Sequence, residues 1–333
     1  MNSQRVIFRA DGNSEIGLGH VIRSLALADM LKDEFECVFA TRFLTDYIKE
    51  EAKKSCAEVV KLSEESDSHL GEFLNCLSGD EIVVLDNYFF ETDYQRKIKA
   101  KGSRLVCIDD MHDRHYVADA VVNHSVHDPV FFSAEPYTKL CLGFDYALLR
   151  NPFLQSHSLS EERERNSVLV CFGGADPHNL TQRVLKFLDS LKRVREVHLV
   201  VGWAYPHKDL LKRQVDSCQN VNAYIYSSLS ADEMFSLMRK TEKAVLPAST
   251  VILEALAAGM QVLGGYFVEN QREFYDFLCR SGYINGIGDF LNADFEEKAD
   301  LYLGMGYKNK PLIPVAQIKN NYLRLFKKMQ KGV

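Results

Sequence analysis

Short β-branched runs alternate with amphipathic stretches along nearly the whole chain, and this alternation limits the possible folds more than any other feature. It is the pattern of parallel strands joined by crossover helices, an α/β fold. In the first half the runs fall at 5–9, 36–41, 58–62, 81–86, 104–108 and 120–123. Helical spacing separates them, as where Val21, Leu25, Ala28 and Leu31 share one face. The pattern lapses over 151–166, where a polar, charged stretch from Gln155 to Asn166 lacks an apolar period and reads as a linker. It resumes with strands at 167–171, 197–201, 221–226, 243–246 and 261–264, and helices near 180–191, 208–216, 231–240 and 249–258. A last helix is expected at 314–331, with Pro314 in its first turn.

A chain of 333 residues is long for one core and suggests about two domains, here 1–155 and 156–333. Ligands of open parallel sheets sit at the carboxyl ends of the strands. With two such domains, the expected active site is the cleft between them.

The net charge of −6 and dispersed basic residues give no reason to expect a nucleic-acid partner. The short basic run Lys327, Lys328 and Lys331 reads as a wet helix face. The first ten residues enter an apolar strand without the long apolar stretch of a signal peptide. No window approaches the ~20 apolar residues that span a bilayer, so no membrane insertion is expected. The eight scattered cysteines include no closely spaced pair and read as reduced core thiols, which points to the cytoplasm. The sequence gives no expectation of oligomeric state.

The first strand runs into a loop with Gly12, Gly17 and Gly19, and then into a helix near His20. Such a loop brings backbone close to a ligand, and the helix start offers N–H groups to an anion. A dinucleotide fingerprint is incomplete, because Ile22 stands where its last glycine belongs and residues 39–42 lack the ribose-binding acid. That weakens a hydride-transfer reading. An imidazole at this strand-to-helix turn suits a general base, with Asp11 or Glu15 in the same loop to orient it. The alternative is a loop or capping histidine. Asp86 and Tyr88, just past the fourth strand, fall at the same carboxyl edge.

The second half repeats the arrangement with Gly173 and Gly174, a plausible pyrophosphate cradle. A tight turn with Asp176 or Asn179 as helix cap is the alternative. Further on, Ser249 and Thr250 open a helix and Glu254 follows one turn later on the same face. A carboxylate among apolar neighbours is costly to bury unpartnered, and a pair of ribose hydroxyls would satisfy it. The run from Asp109 to His115 is rich in carboxylates and imidazoles but has no recognised ligand spacing, so it reads as a turn. No metal and no cofactor are expected.

The loop from Phe8 through Gly17, Gly19 and His20 to Arg23 closely resembles the nucleotide-sugar hydrolases of pseudaminic acid biosynthesis. These are the family of UDP-2,4-diacetamido-2,4,6-trideoxy-β-L-altropyranose hydrolase, relatives of the MurG-like enzymes. The loop at 172–176, the helix start at 249–254 and residues 269–271 extend the resemblance, which runs from about residue 5 to 285. It implies a GT-B fold, two Rossmann-like domains with parallel sheets facing a central cleft. It also implies that His20 is the general base and Tyr88 a supporting catalytic residue. On the substrate side it implies Asp11, Gly17, Gly19 and Arg23 in the first domain. UDP would lie against Gly173, Gly174, Asp176, Ser249, Thr250 and Glu254, with Asn270 and Gln271 near the sugar or phosphates. The last helix is expected to pack back on the first domain, and extra residues before it leave the sugar open. The implied partner is a small UDP-sugar, cleaved by water at C1 with inversion. A GT-B glycosyltransferase that uses the same donor is the alternative.

Overall fold

The structure is a computed structural model that describes residues 4–13, 17–65, 68–125, 127–155, 163–305 and 313–331. The chain divides into two compact units, Met1–Leu154 with Pro314–Val333, and Gln155–Ile313.

The first unit opens with β1 (Arg5–Ala10), α1 (Gly19–Leu31), β2 (Glu36–Thr41), α2 (Asp46–Lys53) and β3 (Glu58–Lys61). It continues through α3 (Ser68–Asn75), β4 (Ile82–Asp86), α4 (Thr92–Ala100) and β5 (Arg104–Ile108). The short pair β6 (His115–Tyr116) and β8 (Ser133–Ala134) brackets β7 (Ala120–Asn123), and β9 (Lys139–Leu142) follows. The main sheet has the order β3-β2-β1-β4-β5-β7-β9, with parallel pairing throughout. Strands covered on both faces need continuous apolar runs, and β4, with all five residues buried, has one.

The second unit contains β10 (Glu164–Val170), α5 (Leu180–Asp189), β11 (Glu196–Val201), α6 (Lys208–Ser217) and β12 (Asn222–Ser227). Then come α7 (Ala231–Lys240), β13 (Thr241–Pro247), α8 (Thr250–Ala257) and β14 (Gln261–Tyr266). The unit closes with α9 (Arg272–Arg280), β15 (Asn285–Asp289) and α10 (Phe295–Gly304). Its sheet order is β12-β11-β10-β13-β14-β15, again parallel. Both sheets therefore reverse their winding beside the first strand, between β1 and β4 and between β10 and β13. That switch point opens a crevice at the carboxyl ends of the strands.

The stretch expected as a linker carries structure at both ends. Asn151–Leu154 forms a 3-10 turn that buries Phe153, and β10 begins at Glu164. The first three residues of β10 are exposed, so its polar start hides the strand from a search for apolar period. Residues 156–162 lie outside the described residues.

The last helix, α11 (Ile318–Gln330), packs within the first unit. Tyr322 is fully buried and donates to the Tyr146 carbonyl at 2.6 Å. Phe326 meets Phe35 edge-on, and Lys327 pairs with Glu34 at 2.9 Å. Among the described residues, no helix is long and apolar enough to cross a membrane.

Candidate functional site

In the first unit, α1 starts beside the switch point with Leu18 at the N-cap and no side chain capping it. His20 is its second residue and is 5% exposed. Its Nδ1 lies 2.7 Å from Oδ1 of Asp86, the last residue of β4. Arg23, one turn further along α1, donates through Nε to Asp86 Oδ2 at 2.7 Å and through Nη1 to Asp110 Oδ1 at 2.5 Å. Ser24 donates to Asp86 Oδ2 at 3.1 Å. Tyr88 sets its ring edge-on to His20 at 4.7 Å and donates its hydroxyl to Asp110 Oδ2 at 3.1 Å. His20, Arg23, Tyr88 and Asp110 border a hollow whose wall also includes Asn87, Gln95, Asp109 and Arg114.

The electrostatics are those of fixed charges. Burial opposes ionisation of Asp86, but Arg23 and then His20 outweigh it and hold the carboxyl below its ordinary range. Asp110 is likewise held low against burial, chiefly by Arg23. Packing around the Tyr88 hydroxyl, with Asp110 beside it, pushes that phenol up, so it stays a proton donor. An ionised Asp86 can only accept, so the neutral His20 carries its proton on Nδ1 and leaves Nε2 with a lone pair.

The acid that orients His20 is therefore Asp86, not Asp11. Asp11 shares a strand face with Arg9 and receives its Nη1 and Nη2 at 2.6 and 2.9 Å. It also accepts from the Arg42 backbone at 2.8 Å, from Arg42 Nε at 2.6 Å and from Thr41 at 3.2 Å. Arg9 is fully buried, and these contacts consume both oxygens of the carboxylate that neutralises it. The other acid considered, Glu15, lies outside the described residues. Gly17 has φ 79° and bonds back to Asn13 at 2.9 Å, while Gly19 opens α1.

The acidic run after β5 is absorbed locally. Asp109 accepts from Tyr116 at 2.5 Å and Asn123 at 3.1 Å, and Asp113 pairs with Arg114 at 2.9 Å. Asp110 meets Arg23 and Tyr88 at the hollow, which Asp109 and Arg114 also line, although sequence reasoning placed it in a turn. Its signal was position, since it lies two residues past a strand end that neighbours β4.

Buried histidines tie the stability of this unit to pH. Burial, with Arg23 opposing protonation, pushes the His124 imidazole down to about 4, and burial with Arg9 does the same for His69. Between about pH 6.5 and 4 the unfolded chain binds protons that the folded one does not, so stability falls as pH drops through that window. The expected cost for His124 is on the order of 3 kcal/mol. Urea midpoints taken across the window should fall steeply for the wild type and less steeply for His124→Gln. Equal slopes would remove His124 from the account.

In the second unit, the loop after β10 places Gly173 at φ 87°, and a side chain on Gly173 or Gly174 would meet nothing within 4 Å. Backbone is thus bared at the crevice. Asp176, buried at φ 41°, accepts from the Leu180 and Thr181 N–H groups, both at 2.8 Å. It caps α5, and that helix start is closed to a ligand, against the expectation that Asp176 contacts UDP.

The helix across the switch point differs. Ser249 is the N-cap of α8 and makes no capping bond. The helix start, with Thr250 at its first position, therefore faces its crevice without a side-chain cap, and Glu254 sits one turn in at 4% exposure. After β14, Gln271 accepts from the Phe267 N–H at 3.1 Å and braces the turn in which Asn270 is exposed. Gly202, at the end of β11, was not singled out from the sequence. A Cβ there would strike the backbone of Gly174. Gly202→Ala is expected to displace the glycine loop and, should that loop hold the diphosphate the resemblance implies, to weaken UDP binding by about tenfold, the size of a modest overpacking strain. Unchanged affinity by calorimetry would show that the loop does not contact the nucleotide.

No protein-family model matches the chain. It is 26% identical over 290 residues to the UDP-2,4-diacetamido-2,4,6-trideoxy-beta-L-altropyranose hydrolase of Campylobacter jejuni, covering 84% of this chain and 97% of that protein. An uncharacterized protein of Methanocaldococcus jannaschii is 30% identical over 322 residues, which are 91% of this chain. The chain spans 64% of that relative's length. A spore coat polysaccharide biosynthesis protein of Bacillus subtilis is 23% identical over 271 residues, 79% of this chain and 77% of that protein. Among solved structures, Acinetobacter baumannii MurG matches with TM-score 0.63 at 12% identity, covering 98% of this chain and 99% of that one. Anabaena HepE in complex with UDP and glucose matches with TM-score 0.61 at 12% identity, over 99% and 100% of the two chains. The fold is that of the MurG-like GT-B proteins, and the resemblance to the hydrolase family extends over most of the chain.

Proposed function

We propose that the chain is a nucleotide-sugar hydrolase acting in pseudaminic acid biosynthesis. It releases UDP from UDP-2,4-diacetamido-2,4,6-trideoxy-β-L-altropyranose. The observation that carries this reading is the His20–Asp86 pair at a helix start, fixed by Arg23 and lined by Tyr88. The similarity to the Campylobacter hydrolase supports the choice of substrate.

In this reading His20 Nε2 takes a proton from water as the water oxygen bonds to C1 of the sugar. The bond from C1 to the phosphate oxygen breaks on the opposite face and its electron pair leaves with UDP. The configuration at C1 inverts. Asp86 stabilises the imidazolium that forms and keeps its Nδ1 proton in place, the part a buried carboxylate plays beside a catalytic histidine. Tyr88, whose proton is directed to Asp110, presents its hydroxyl oxygen as an acceptor to a sugar substituent.

The nucleotide is assigned to the second unit. The uncapped start of α8, with Ser249 and Thr250, and the bared backbone of Gly173 and Gly174 suit a diphosphate. Glu254 is assigned to the ribose hydroxyls. These donors are proposed to stabilise the leaving group without a metal, so turnover should persist in EDTA. The eight cysteines are all free thiols, which supports a cytoplasmic setting.

Glu254→Gln should raise the Kd for UDP by about tenfold, the loss of one charged hydrogen bond to a hydroxyl. Wild-type protein should discriminate against 2′-deoxy-UDP to a similar degree, and the variant should not. An unchanged preference in the variant would take Glu254 away from the ribose.

A further inference from the structure

We propose that Glu164, Glu196 and His198 form a binding site for a divalent transition-metal ion of the Zn²⁺ type. The site lies at the amino ends of β10 and β11, whereas Gly173, Gly174 and Thr250 follow the carboxyl ends of strands in the same sheet.

Strand geometry brings these groups together. Residues two apart on a strand share a face, so Glu196 and His198 point away from Val197 and Leu199, which enter the core. His198 Nε2 lies 3.5 Å from Glu164 Oε2 and 3.8 Å from Glu196 Oε2. All three donor atoms fall within 4.8 Å of one another. A tetrahedral Zn²⁺ with bonds of about 2.0–2.1 Å holds its ligands roughly 3.3–3.4 Å apart. Closing the set takes a few tenths of an ångström between His198 Nε2 and either oxygen, and up to about 1.4 Å between the two carboxylate oxygens.

The imidazole itself indicates a missing partner. The His198 side chain is 6% exposed, and among the described residues its Nε2 has no hydrogen-bond partner. The ring is held from both sides, stacked on Tyr224 at 5.6 Å with Nδ1 3.2 Å from the Tyr226 hydroxyl. An Nδ1–H donated to that hydroxyl turns the Nε2 lone pair toward two carboxylates. A ligating histidine is usually oriented through its other nitrogen in this way. A metal ion would supply the missing partner. One imidazole with two carboxylates favours Zn²⁺ over Mg²⁺ or Ca²⁺, and the part-exposed glutamates leave a fourth position for water. The ion would tie β10 to β11.

The test is titration of Zn²⁺ and Co²⁺ into the chelator-treated full chain at neutral pH, with wild type, Glu164→Gln/Glu196→Gln and His198→Ala. The wild type should take up one additional equivalent of Zn²⁺ that neither variant binds. Its Tm should rise by several degrees at saturating metal, and those of the variants should not. The Co²⁺ bound at this site should show d–d bands without a thiolate charge-transfer band. The glutamate variant replaces part-exposed groups, so its loss of binding with an unchanged circular dichroism spectrum cannot be ascribed to misfolding. Zn²⁺ uptake equal in wild type and glutamate variant, or none in the wild type at micromolar free metal, overturns the proposal.

Discussion

His20→Asn is expected to reduce turnover of the UDP-sugar by about 10²–10⁴-fold, the usual contribution of a positioned general base. The affinity for UDP should not change. Asparagine can still fill the space beside Asp86, so the loss would report the missing proton acceptor at Nε2 and not a collapsed hollow. Steady-state kinetics paired with UDP calorimetry separate the two. A variant with wild-type turnover would return His20 to the role of a loop histidine. A variant that lost UDP binding as well would place His20 in binding and not in catalysis.

The second large effect concerns stability. Asp11→Ala removes the carboxylate that neutralises Arg9, which is fully buried, and also strips Arg42 of two contacts. Breaking such a buried pair by deleting one member typically costs about 3–5 kcal/mol. That is a large share of the stability of an ordinary domain. The urea midpoint of the first unit should fall accordingly. The paired replacement Arg9→Met with Asp11→Leu should recover much of the loss, because it removes the uncompensated charge and keeps apolar volume. If Asp11→Ala were as stable as wild type but needed far more substrate for half-maximal rate, Asp11 would belong to the substrate, as the resemblance first implied.

The contrast between Asp11 and Asp86 shows where sequence reading reached its limit. The alternation of strands and helices was legible because parallel strands buried on both faces require unbroken apolar runs, and β4 has one. Strands that break this rule were missed. β15 reads Asn-Gly-Ile-Gly-Asp, with glycines where a β-branched residue would be expected. β9 is short and only part-buried, and nothing in its composition separates it from a loop. In the candidate site, glycine loops and helix starts were visible because they are local in sequence. The carboxylate on His20 was not, because it comes from a residue 66 positions away. Sequence proximity suggested Asp11, and the demand of a buried Arg9 two residues back on the same strand face claimed it. Asp110 was overlooked for the same reason, since its partners Arg23 and Tyr88 are brought to it by sheet order.

Asp176 failed differently. A glycine loop followed by a helix predicts an anion site only if the first N–H groups of the helix are open. Whether a neighbouring carboxylate bonds to them depends on backbone conformation, here φ 41° at Asp176 itself. The better diphosphate candidate is α8, whose Ser249 stands in the capping position without making the bond.

The most direct test of the central claim is NMR of the purified chain with UDP-2,4-diacetamido-2,4,6-trideoxy-β-L-altropyranose and no acceptor. Spectra should be recorded faster than the free sugar mutarotates. UDP and free sugar are expected in equal amounts, with the first-formed anomer inverted at C1. An intact substrate that turns over only when an acceptor alcohol is added, or a first product with retained configuration, would contradict that claim.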